Sequence, residues 1–196
     1  MRQFRTPSEI QHFLNSLKYR KEGGARSPFI VERTRLANCF DGAVYAAAAL
    51  ETLGHLPLIV DLVAKNDDDH VIAVYRSAGG WGAIAKSNTT LLRSRAPVYR
   101  SLRELVMSYF DSYFNTHGHR SLRSYSSPVN LRRFDAISWR TTERQLDPVQ
   151  DWLYHIRHYP LITRSQERTL AKVEPDVMRA CFLFSDRRGL FKPKRA

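Results

Sequence analysis

With 196 residues, 43% of them apolar, the chain can bury one sizeable core, which argues against a second full domain. Its two cysteines, Cys39 and Cys181, are too few for a disulfide scaffold or a four-thiolate zinc site, and no apolar window reaches the roughly 18 residues of a membrane span. The net charge of +12 permits nucleic acid as a partner without favouring it: 24 of the 31 cations are arginine, spread through apparent helices with no nucleic-acid motif, although +8 of the excess falls within residues 120–196.

The amino terminus has no apolar stretch of signal-peptide length, so a soluble, cytoplasmic protein with no membrane partner is expected. Thr6-Pro7-Ser8-Glu9 has the order of a capping box, and Ile10, Phe13, Leu14 and Leu17 share one face, predicting a short amphipathic helix. Residues 21–28 read as loop. A second helix is predicted from about Asn38 to Leu53, ended by Gly54 in a left-handed cap. Cys39 then lies in its first turn, where unpaired N–H groups and the helix dipole favour a thiolate and depress a cysteine's pKa. Asp41 opposes that effect, yet stands where a capping carboxylate belongs.

Leu58–Val63, Val71–Arg76 and Trp81–Lys86 are short apolar runs bounded by polar clusters, as strands are. Their spacing forces antiparallel neighbours. His70 opens the second strand and is the predicted base for Cys39; His55 follows the far end of a helix about 22 Å long and is too distant. The group that orients His70 depends on hairpin register. A three-residue loop Ala78-Gly79-Gly80 opposes His70 to Asn88, the favoured partner because its carbonyl is a fixed acceptor. A two-residue turn at Ala78-Gly79 or a four-residue one would oppose it to Ser87, and a Gly79-Gly80 turn to Thr89. Lys86 interrupts an apolar strand next to this position and, with Ser87 and Trp81, is a candidate substrate contact; Trp81 is otherwise sheet packing.

Residues 101–115 return to helical spacing, and further helices are predicted at 147–158 and around 164–183, interrupted near Pro175. Asp67-Asp68-Asp69 reads as a solvated loop. His117 with His119, and His155 with His158, lack the carboxylate or thiol spacing of a metal site, so no metal or other cofactor is expected.

Phe40-Asp41-Gly42-Ala43, Asp67-Asp68-Asp69-His70-Val71-Ile72-Ala73 and Gly80–Asn88 resemble bacterial members of the transglutaminase-like superfamily, over about residues 30–100. The resemblance implies an α+β fold with the Cys39 helix packed on a small antiparallel sheet, as in papain-type enzymes. One domain spanning 1–196 follows, with its core at 30–100 and a mainly helical extension at 101–196. It also implies Cys39 as nucleophile, His70 as base, and Asn88 or Ser87 where the superfamily usually has Asp. The expected activity is thiol-dependent acyl transfer on a peptide or amide substrate, with hydrolysis ranked before cross-linking. The alternative is a degenerate scaffold that binds a partner or nucleic acid through its arginine-rich carboxy-terminal half.

Overall fold

The computed structural model describes residues 2–194. Thr6 caps helix α1 (Pro7–Ser16) through its side-chain oxygen, and Ile10, Phe13 and Leu14 are buried along it. Strand β1 (Lys18–Tyr19) follows, then α2 (Pro28–Thr34), a helix absent from the sequence reading, and β2 (Leu36–Ala37), which pairs in parallel with β1. Helix α3 (Cys39–Thr52) starts at a complete capping box of Asn38 and Asp41 and ends before Gly54, whose φ of 87° is left-handed as predicted.

Strands β3 (Leu58–Ala64), β4 (His70–Ser77) and β5 (Gly80–Ile84) form the predicted antiparallel meander, continued by β6 (Arg95–Tyr99). Helical spacing over 101–115 resolves into α4 (Leu102–Met107) and a 3-10 turn at Phe110–Ser112. The segment 101–196, read as a mainly helical extension, also supplies β7 (Leu122–Ser126) and β8 (Val129–Asn130), both paired with β3. Helix α5 (Asp147–His155) then leads into β9 (His158–Pro160), paired with β7. Helices α6 (Arg164–Thr169) and α7 (Pro175–Phe182) follow, broken ahead of Pro175 as expected. The result is an α+β fold with one seven-stranded antiparallel sheet in the order β6-β5-β4-β3-β7-β9. Among the described residues no helix is long and apolar enough to cross a membrane.

Because side chains alternate along a strand, the sheet presents two different faces. Ile59, Val71, Ala73, Tyr75 and Ile84 pack against α1 and α3, whose Ala43, Ala46, Ala47, Ala48 and Ala49 let helix and sheet approach closely. Val60, Leu62, Ile72, Val74 and Ala83 face α4 and the aromatic cluster of Tyr109, Phe110 and Tyr113. The approach is tightest at Gly42, where an added Cβ would lie 2.3 Å from Lys86 Cβ. Only glycine fits there.

The β4–β5 connection corrects the predicted register. Ser77 pairs with Gly80 around a two-residue turn in which Ala78 and Gly79 have φ of 48° and 81°, the geometry of the primed turns that match strand twist. This register would oppose His70 to Ser87 rather than Asn88, but pairing stops at Ala73 and Ile84, because Ala85 N–H donates instead to Gln11 on α1.

Candidate active site

The start of α3 is built around Asp41. Its carboxylate accepts from Arg20 Nε at 2.7 Å and Nη2 at 3.0 Å, and from the backbone N–H groups of Arg26 and Asn38. Arg20 donates further to the carbonyls of Gly23 and Gly24, and the Asn38 amide donates to those of Glu22 and Gly24. Both members of the ion pair are buried. Parallel β1–β2 pairing delivers Tyr19 and Arg20 beside the helix, and the ion pair then folds 20–26 into one wall of a cleft.

That cleft, about 450 Å³, exposes Cys39 at its base. Tyr19 and the 20–24 loop line one side, Asp61, Asp67, Asp68 and Asp69 another, and Gln150 and Tyr154 of α5 the rim. The sulfur is held by the backbone around His70: it lies 3.8 Å from the Asp69 carbonyl and accepts a hydrogen bond from Val71 N–H. The thiol is not depressed as the helix start alone would predict. Burial, then the charges of Asp41, Asp61 and Asp68, push it up to about 11.

His70 does not join it. In β4 it alternates with Val71, so its ring leaves on the α4 face with Ile72 and Val74. There its Nε2 is 2.8 Å from the Leu92 carbonyl and its ring packs edge-on against Tyr113. A carbonyl only accepts, so Nε2 carries the proton. Burial drives this imidazole down to about 4, and it is neutral at physiological pH.

The other expected site residues lie elsewhere too. Asn88 binds the backbone of Asp186 in both directions, its Nδ2 to the carbonyl at 2.9 Å and its Oδ1 to the N–H at 3.0 Å. Its amide pins the carboxy-terminal segment. The Ser87 hydroxyl contacts Thr89. Lys86 Nζ donates to the carbonyls of Leu14 and Leu17 at the end of α1, a buried helix cap that accounts for a lysine in this strand. Trp81 stacks under Arg76 and packs on the α4 face. None of the four lines the cleft.

In their place the structure brings Asp61 into the Cys39 cleft, with His158 beside it on β9. Asp61, 4% exposed, projects from β3 into the cleft on the α3 side. Its Oδ2 lies 3.5 Å from His158 Nε2 on β9. His158 Nδ1 is 2.8 Å from the Ile156 carbonyl and must donate to it, so Nε2 bears a proton only in the imidazolium. Burial, reinforced by Asp69, raises Asp61 to about 7 despite the opposing pull of His158. The loop that reads as solvated is partly folded in: Asp67 accepts from the Ser121 hydroxyl at 2.6 Å and is raised to about 6, chiefly by burial.

Asp61 carried a signal in the sequence, since a carboxylate inside the apolar run 58–63 is costly to bury without a purpose. His158 and the 20–24 wall had none, because long-range pairing delivers both. Among the described residues no group of three or more His, Cys, Asp and Glu could hold a metal ion. No family model matches the chain, and no curated protein matches it significantly.

Proposed function

We propose that the chain is a thiol-dependent acyl-transfer protein of the transglutaminase-like type, acting on a peptide or amide bond, with Cys39 as nucleophile. The observation that carries this reading is a cysteine at a helix start, opening into a cleft that it shares with the buried carboxyl of Asp61, whose proton affinity burial raises. Asp61 replaces the expected His70 as base, and His158 is its positioning partner. In the acylation step the Asp61 carboxylate takes the Cys39 proton as sulfur bonds to the carbonyl carbon, whose π electrons move to oxygen. Collapse of that adduct expels the amine, which takes the proton back from Asp61, and water then cleaves the thioester. A carboxyl near pH 7 suits this exchange better than an ordinary aspartate, because it accepts a proton more readily and still returns it.

The test is acylation of Cys39 by p-nitrophenyl acetate, followed by mass spectrometry of the modified peptide. Cys39→Ala abolishes the adduct. Asp61→Asn slows its formation on the order of 100-fold, as loss of a general base does, and removes a rate inflection near pH 7. Equal rates in wild type and Asp61→Asn would sink the mechanism.

A second reading is favoured by the protonated thiol and by His70 being locked on the other face: a cleft that binds and does no chemistry. It requires that Cys39 form no acyl adduct at any pH while the cleft still protects it from alkylation when occupied.

A further inference from the structure

A second pocket, independent of the Cys39 cleft and of the reading above, lies where the β3–β4 loop meets residues 115–120, β7, α6 and Lys194. It encloses about 230 Å³. Lys65, Arg120, Arg123 and Lys194 line it together with His117 and His119, against the single carboxylate of Glu167. Glu167 is shared between Lys65 Nζ at 2.6 Å and Arg123 Nε at 3.3 Å. Arg120 has an ion pair with Asp111, a side chain 85% exposed and outside the pocket. Lys194 and both imidazoles make no side-chain hydrogen bond or ion pair among the described residues; the two rings lie edge-to-face with centroids 6.4 Å apart.

The frame is built rather than accidental. Asn115, 2% exposed, accepts the backbone N–H groups of His117 and His119 on one oxygen and donates to the Asn66 carbonyl. Asn66 in turn binds both backbone groups of Lys194, fixing that cation at the rim. The field is already felt, since His119 is lowered by burial and then by Lys172 and His117. A concave, rigidly backed site with four permanent cations and one carboxylate lacks anionic charge.

We propose that this pocket binds a dianionic phosphate group, either free phosphate or a phosphate monoester. A monoanion would leave most of the excess charge uncompensated, whereas tetrahedral phosphate oxygens match guanidinium and imidazole donors arriving from several elements.

Calorimetric titration of the full chain with inorganic phosphate, at an ionic strength held constant with NaCl, tests it. One saturable site per chain is expected. The triple variant His117→Gln, His119→Gln, Lys194→Gln weakens it at least about tenfold, because those side chains hold no structural bond, whereas Arg5→Gln with Arg100→Gln leaves it unchanged. Circular dichroism confirms that the triple variant is folded. Heats that do not saturate, or equal affinity in the triple variant, overturn the proposal. An oligonucleotide with a 5′-phosphate is then compared with its 5′-hydroxyl twin. A preference for the former that the triple variant loses assigns the phosphate to a nucleic-acid end; no preference, with phosphate binding intact, assigns it to a small molecule.

Discussion

The two faces of the central sheet bury polar groups in opposite ways. On the α3 side they are ionisable and paired across elements: Arg20 with Asp41, Asp61 with His158, and Lys86 on the end of α1. On the α4 side they are neutral donors satisfied by single carbonyls: His70 on Leu92, Tyr109 on Arg93 and Tyr113 on Asp68. Burying a charge is costly unless partners surround it, so the α3 face holds its ionisable groups in pairs beside the cleft, while the α4 face buries neutral donors at lower cost. Cys39 and His70 fall on different sides of this division.

The largest effect that sharpens the contrast is expected on the charged side. Asp41→Ala strands Arg20 without its counter-charge and leaves Asn38 and Arg26 N–H groups unanswered, destabilising the fold by about 3–5 kcal/mol in chemical denaturation. Loss below about 1 kcal/mol would mean that the loop carries its own fold.

His70→Leu comes next, at about 1–3 kcal/mol near pH 7.5, from the lost Leu92 bond and imperfect packing. Its imidazole is depressed to about 4 in the folded state against an ordinary 6.5. The unfolded chain therefore binds the extra proton first, so wild-type stability is full above about pH 6.5 and declines as pH falls towards 4. The variant loses this dependence, and the two stability curves converge on acidification. Cys39 acylation in His70→Leu should stay within about twofold of wild type, because that ring does not reach the cleft; a loss like that of Asp61→Asn would break the comparison.

The smallest effect belongs to Lys86→Met, within about 1 kcal/mol at pH 7, since two capping bonds are exchanged for relief from a buried cation. Burial, with Arg93, lowers Lys86 to about 8 from an ordinary 10.5. The unfolded chain then binds more protons between pH 8 and 10.5, so wild type gains stability as pH rises through that window. Lys86→Met does not, which differential denaturation at pH 7.5 and 9.5 reads directly.

Local chemistry was legible where the chain's neighbours in sequence are also its neighbours in space. The Thr6 cap, the α3 boundaries, Gly54 and the β3–β5 meander all depend on such short-range rules. The hairpin register was not, because a one-residue difference between turn types is decided by twist and by Gln11, 74 residues from the strand end it holds. That one residue moves every partner of β4. The face taken by His70 was equally hidden: Val71 and His70 alternate, and only the packing of α3 decides which one meets the sulfur. Cys39 at the head of a helix needed no such help. Its raised proton affinity did, since it comes first from burial under long-range packing, then from Asp41 nearby, Asp61, 22 positions away, and Asp68, 29 positions away.

The row of alanines along α3 sets how far the helix stands from β4, and so how deep the sulfur sits. Their methyl groups point in several directions, so the helix lies close to α1 and α2 as well as to the sheet. A valine or leucine on the side that meets β4 would push the helix off the sheet and carry its first turn with it, so the reach of one atom is tuned by residues a turn or more away that never see a ligand.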